Sequence, residues 1–288
     1  MKNRRKYEKY IELLFLLAGL VTVGFVLVIT VYLFVSGIPA IKEIGIKNFL
    51  FNKKWASSAT QPSYGILPFI LTSIYGTAGA IVLGVPIGFF TAVYLSKFAD
   101  KRVKNMMQKA VGILAGIPSV VYGLIGMLVL VPTVRKVFNL ADGSSLFAAI
   151  IILAVMILPS VIKVSINALD TVPQEYEDGS LALGATKTET VFKVSVPTAK
   201  SGITAAVVLA IGRAIGEAMA VMMVSGNASS NMPTLFGSVR FLTTAIASEM
   251  AYSSGLQRQA LFSIALVLYF FILLINAILN FVLKKERH

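Results

Sequence analysis

The sequence predicts an all-α integral membrane protein with six transmembrane helices, and three observations carry that prediction. First, 57% of the 288 residues are hydrophobic and only 14% are charged, with a mean hydropathy of +0.82. A soluble domain carries about 25% charged residues, so this much apolar surface needs an apolar solvent. Second, the apolar residues gather into six runs, at about 11–36, 66–96, 110–132, 146–168, 201–225 and 259–283. Each is near the ~20 residues that a bilayer core requires. Third, the runs do not alternate polar with apolar, so they read as helices, which satisfy their own backbone groups inside lipid, and not as barrel strands.

The first run follows a basic start, MKNRRKYEKY. It is longer than the ~7–15 apolar residues of a signal peptide and lacks a small-residue cleavage site, so it reads as a retained helix. The loop at 37–64 holds Trp55, the only tryptophan, beside Lys53 and Lys54. That grouping predicts an interfacial anchor; a docking surface for a soluble partner is the alternative. In the third run, GIPSVVYG (Gly116–Gly123) places Pro118 inside an apolar stretch, which predicts a kink and a freed carbonyl. Ser119 either satisfies that backbone or lines a pathway. The segment at 226–257 is rich in Ser, Thr, Asn and Gly. It reads either as a solvated loop or as a partly re-entrant, gate-forming piece.

Orientation follows from Lys and Arg. Seventeen of them fall on the side that holds both termini and eight on the other, with Arg213 inside a run. The richer side is expected to be cytoplasmic. The net charge of +13 sits in short clusters between apolar runs, which fits an anionic membrane surface better than nucleic acid.

The longest inner loop, about 170–200, differs from its surroundings. It holds five of the thirteen acidic residues, namely Asp170, Glu175, Glu177, Asp178 and Glu189. Pro173 opens it and Pro197 closes it. The pattern predicts a helix over Gln174–Leu183 with Gly184 as its stop, then a further turn or two over Glu189–Val196. A helix–glycine–helix elbow on the inner face suits contact with a cytosolic partner; a plain solvated loop is the alternative.

Several chemistries are excluded. There is no cysteine, and the only histidine is His288 at the end of the chain, so thiolate and imidazole metal sites are not expected. No Gly-x-x-x-x-Gly-Lys-Ser/Thr run exists to cradle phosphates, and no Ser/His/Asp set exists for nucleophilic catalysis. The chain is expected to be non-catalytic and to bind no cofactor. Energy must come from a partner or from an ion gradient.

The fifth run, AIGRAIGEAMAVMMVSG (Ala210–Gly226), keeps two charges. In a continuous helix Glu217 lies ~6 Å beyond Arg213 on the same face. An ionisable group at the bilayer centre costs roughly 2.5–3.5 kcal/mol, so Arg213 must face a bundle interior or a watery path, with Glu217 as its expected partner. Two roles are open: a structural pair that locks helices together, or an oxyanion contact that exploits the planar guanidinium fork. The small neighbours Gly212, Ala214, Gly216 and Ala218 favour close helix approach.

The inner loop resembles the cytoplasmic motif of bacterial ABC importer permease subunits: Glu-Ala-Ala, three residues, Gly, nine residues, Ile-x-Leu-Pro. Aligned on Gly184, this chain has Asp178-Gly179-Ser180 before it and Val194-Ser195-Val196-Pro197 after it. The glycine, the proline and the spacing match, while Glu-Ala-Ala is replaced by Asp-Gly-Ser. Across most of the chain, four runs resemble the PstC-type permease subunits of phosphate importers. They are YGILPFI (Tyr64–Ile70), GIPSVVYG, SLALGATKTETVFKVSVPTAKSGI (Ser180–Ile203) and AIGRAIGEAMAV (Ala210–Val221).

The resemblance implies a type-1 ABC importer permease (MetI-like) fold with a cytoplasmic coupling helix. It implies an N-terminal helix and external loop over 1–64, and a five-helix permease core over 65–288. The elbow at 170–200 is then the part that enters a groove of the ATPase, through Asp178, Gly184, Ala185 and Pro197. Arg213 and Glu217 are implied on the phosphate path, with Ser119 beside them. The implied partners are a homologous second permease (PstA type), two ATPase subunits (PstB type) that bind ATP-Mg, and an external phosphate-binding protein (PstS type). The implied location is the bacterial cytoplasmic membrane, with both termini inside. A permease for another oxyanion such as sulfate or molybdate is the first alternative; a non-ABC carrier or a membrane scaffold is the second.

Overall fold

A computed structural model describes residues 2–57, 59–229 and 232–285, with side chains described over 11–278 within those limits. His288 lies outside the described residues. In chain order the elements begin with α1 (Lys2–Ile44), α2 (Ile46–Phe51) and a hairpin of β1 (Trp55–Ala56) with β2 (Ser63–Tyr64). Next come α3 (Leu67–Val93), extended by a π-helical turn over Tyr94–Phe98, then α4 (Lys101–Gly116), α5 (Ser119–Ile125), a π-helical turn and α6 (Val131–Val137). α7 (Leu146–Asp170), α8 (Gln174–Ala182), α9 (Lys187–Thr190), a π-helical turn and α10 (Val196–Thr198) lead to α11 (Lys200–Gly216). α12 (Met219–Val224), α13 (Leu242–Glu249) and α14 (Gly255–Lys285) complete the chain.

Five described helical stretches are long and apolar enough to cross a bilayer: 11–44, 67–98, 119–137, 146–170 and 255–278. A sixth is obtained when the helix through Lys187–Thr198 is joined to α11 across a 69° bend. The charged side chains Lys187, Glu189 and Lys193 keep the first of these on the loop side of that bend. α7 is the central helix, with Leu153, Met156, Ile157, Ile166 and Leu169 fully buried. α3 lies close against it because Gly84 and Gly88 face it: a Cβ on either would come within 2.8 Å of Ile157 or Val161. Small residues allow that approach where lipid supplies no hydrophobic drive. α1 runs apart from this core, with most of its apolar side chains from Ile11 to Val35 exposed, as a lipid-facing helix requires. It is held by α14, where the Ser263 hydroxyl donates to the Gly37 carbonyl at 2.6 Å.

Three expectations are corrected. The third run is not one kinked helix over 110–132. α4 ends at Gly116, and the spanning stretch is 119–137. The residue before a proline is driven out of the helical region, and Ile117 is extended at φ −70°, ψ 127°. The fifth run is likewise broken, as described below.

Trp55 is not an interfacial anchor: it is only 2% exposed. It packs with Phe49, Tyr64 and Phe69 from its own side, and with Leu242, Ala245 and Leu261 from α13 and α14. Its indole N–H donates to the Glu249 carboxylate at 3.1 Å. The same carboxylate accepts from Ser57 at 3.2 Å and Gln257 at 3.1 Å, and it pairs with Arg240. Within the segment at 226–257, the part over 239–249 is folded against the core: α13 buries Leu242, Thr243, Thr244 and Ala245, while Leu235 and Tyr252 stay exposed.

Candidate substrate pathway and coupling elbow

The stretch that carries Arg213 and Glu217 is two helices, not one. α11 stops at Gly216; Glu217 is extended at φ −73°, ψ 128°, and α12 begins at Met219. The expected ion pair is therefore absent: among the described residues no ion pair joins Arg213 to Glu217. Glu217 instead caps α12, its Oε1 accepting the Ala220 N–H at 3.1 Å. A carboxylate there satisfies a donor that the first turn leaves open and suits the positive helix end. The Glu217 carbonyl accepts from the Thr243 hydroxyl at 2.8 Å. Arg213, half-buried, stands in the last turn of α11, where free carbonyls favour a cation.

A second break faces the first. α4 ends at Gly116, and Pro118 (φ −59°, ψ 143°) leads into α5. The Tyr122 hydroxyl reaches back to donate to the Leu114 carbonyl at 2.8 Å, closing the gap. α5 and α12 pack with small residues between them. A Cβ on Gly123 would meet Ala220 Cα at 2.8 Å, and one on Gly126 would meet Val224 at 2.7 Å. That register makes the two helices parallel and sets the start of α5 opposite 216–217, where α11 ends. Ser119, the first residue of α5, is half-buried at this level. Gly112, Gly116, Gly212 and Gly216 all border open space. Irregular backbone at membrane depth is tolerated where it lines a cavity or is buried in protein, and broken helices are where transporters build their sites.

In the loop between α7 and α11, α8 forms over Gln174–Ala182, close to the expected bounds. Gly184 ends it with φ +88°, a left-handed conformation that costs glycine nothing. Leu183, beside it, is 91% exposed, and Tyr176 and Leu181 are exposed too. Asp178 is exposed and accepts from Gln174 at 3.2 Å, while Ala185 is half-buried. The anchor of α8 is Glu177, which pairs with Lys97 and accepts from the Ser195 hydroxyl at 2.8 Å. Their side chains are only 15% and 12% exposed for Glu177 and Lys97. The Thr190 hydroxyl donates to the Ser180 hydroxyl at 3.0 Å, tying the two arms of the elbow.

Thr186 and Glu189 form a capping box at the start of α9. The Thr186 backbone N–H, with Lys193 and the Thr186 hydroxyl, holds the Glu189 carboxyl down at about 2, from an ordinary 4.5. Pro197 does not end the second arm. It stands in the first turn of α10, where its missing N–H costs little, and the chain bends after Thr198. Of the residues that shape both sites, sequence reasoning missed Lys97, Tyr122, Ser195 and Thr243. Glu177 was visible only as one acid among five.

Residues 84–288 match the model of a family described as the binding-protein-dependent transport system inner membrane component. The chain belongs to this family. It is 36% identical over 283 residues to the Probable ABC transporter permease protein YqgH of Bacillus subtilis, covering 96% of this chain and 92% of that one. It is 33% identical over 296 residues to the Phosphate transport system permease protein PstC of Haemophilus influenzae, covering 93% and 92%. Among solved structures, the inward-facing MetNI methionine ABC transporter overlays with a TM-score of 0.56 at 20% identity, covering 77% of this chain and 94% of that one. That overlay supports the type-1 importer permease fold for this permease. The chain is thus a multi-pass membrane permease of the ABC importer class.

Proposed function

We propose that this permease forms half of the pathway of an ATP-driven, binding-protein-dependent phosphate importer. The observation that carries the reading is Arg213: an intramembrane guanidinium at a helix break, beside open space, with no carboxylate paired to it among the described residues. A permanently charged planar fork binds an oxyanion through paired charge-assisted hydrogen bonds. The phosphate transport names of several relatives that align over most of the chain support the substrate. Ser119 stands at the level of the break and supplies a hydroxyl. Glu217 keeps the break in shape by capping α12.

In this reading residues 65–288 are the permease core and 1–64 an addition to it. A homologous permease supplies the other half of the path, and two ATPase subunits, which bind ATP-Mg themselves, grip the elbow at 170–200. The exposed Leu183, Leu181 and Tyr176, with Asp178, Gly184 and Ala185, form the surface they meet, and Pro197 lies where the second arm turns into α11. An external phosphate-binding protein delivers the anion. Both termini face the cytoplasm of a cell bounded by this membrane.

The test is ATP-dependent uptake of labelled phosphate into liposomes holding this chain, the second permease and the ATPase, with the binding protein outside. Unlabelled sulfate and molybdate serve as competitors. Uptake that resists both competitors is expected. Transport of another anion in place of phosphate would overturn the substrate and leave the permease.

A further inference from the structure

We infer that Thr243 is the positioning residue of the Glu217 break, and that through it α13 ties the pathway to the outer face of the protein. Its importance for transport rests on the phosphate-pathway reading of Arg213; its hold on the backbone does not.

The backbone explains the need. Once Glu217 leaves the helix, its carbonyl has no donor four residues on, and an unmatched carbonyl at this depth is costly. The Thr243 hydroxyl supplies the bond at 2.8 Å, from a side chain only 8% exposed. Thr243 is itself fixed. The Leu242 N–H donates to Ser73 of α3 at 3.0 Å, and the Phe241 N–H donates to the Thr244 hydroxyl at 2.9 Å. At the other end of α13, Glu249 gathers Trp55, Ser57, Gln257 and Arg240. α13 is eight residues, a strut of ~12 Å. One end holds the outer loop and the other holds the carbonyl of the residue whose side chain caps α12. Arg213 stands one turn before that residue, so the place of the break sets where its guanidinium points.

The experiment uses the assembled complex with Thr243→Val, which keeps the shape and removes the donor, and Thr243→Ser, which keeps the donor. Thr243→Ala replaces the valine variant if that variant does not assemble. Hydrogen exchange is read on the peptide over 214–222, and phosphate uptake is read as KM and Vmax. With Val, exchange at the Ala220 amide is expected to rise roughly tenfold, with Vmax lowered and KM unchanged; Ser restores both. Unchanged exchange with Val, or equal damage from Ser, overturns the inference. Faster exchange with normal Vmax, while Arg213→Gln still abolishes uptake, overturns the role in transport and leaves the phosphate reading standing. Normal uptake by Arg213→Gln instead sinks the phosphate reading, and the exchange result alone then decides the hold of Thr243 on the break.

Discussion

The Glu217 carboxylate accepts the backbone N–H of Ala220 at 3.1 Å and makes no ion pair with Arg213. Two charges four residues apart, which a straight helix would stack on one face, are separated by a break that one of them stabilises. The roles of the two residues therefore differ, and so should their variants.

Arg213→Gln is expected to abolish phosphate uptake while the complex still assembles, because the guanidinium is the only charge in α11 after Lys200. Normal uptake by that variant would refute the role. Co-purification of the ATPase checks assembly.

Glu217→Gln keeps an acceptor for the Ala220 N–H, so uptake should stay within a few-fold of the parent. Glu217→Ala removes the cap and should cost about 0.5–2 kcal/mol of stability. If Gln proved as damaging as Ala, Glu217 would be acting as a charge and not as a cap.

Tyr122→Phe removes the hydroxyl that bridges the break at 117–118 and leaves the Leu114 carbonyl with only the longer bond from the Ile117 N–H, at 3.3 Å. A loss of about 0.5–1.5 kcal/mol is expected, read as a lower unfolding temperature of the purified complex. No shift would mean that water takes over the carbonyl.

Glu177→Gln breaks the pair with Lys97 beneath α8 and leaves a mostly buried ammonium without its counter-ion. Phosphate uptake per ATP hydrolysed should fall while the transmembrane core keeps its melting behaviour. Leu183→Asp, on the exposed tip, should instead weaken retention of the ATPase during purification. Full retention would remove Leu183 from the contact surface.

The Glu189 carboxyl is held at about 2 in the folded chain against an ordinary 4.5. A depressed carboxyl stabilises above the unfolded value and loses that contribution as pH falls through the folded one. The start of α9 should therefore be indifferent to pH from 7 down to about 5, and should loosen between roughly 4.5 and 2. Hydrogen exchange over 186–193 reads this, and Glu189→Ala should flatten the dependence.

Much of this was legible in the sequence. Apolar run lengths fix a helical membrane protein because lipid forbids unpaired backbone, and the second, fourth and sixth runs fall where α3, α7 and α14 lie. The elbow was legible because Gly184 is a local signal: a left-handed stop needs no distant partner. Arg213 stood out for the same reason, as a charge where charge is costly.

The disruption at Pro118 was legible as a kink, though not as a full break; the break at 217–218 was not legible, because hydropathy sums side chains and is blind to one residue of extended backbone between apolar neighbours. Nothing local marks Glu217 as a cap and not a counter-ion. That choice is made by Thr243, 26 residues on, which takes the carbonyl the break exposes. Nor could the sequence tell that Trp55 is core: its partner Glu249 lies 194 residues away. What the sequence by itself determined is the solvent this chain lives in, the helices that solvent demands and the glycine-hinged elbow, all of which follow from composition and short-range sterics. What only the tertiary structure decided is where helices stop inside the membrane and which polar groups find each other there. Those outcomes depend on donors and acceptors brought together from distant parts of the chain.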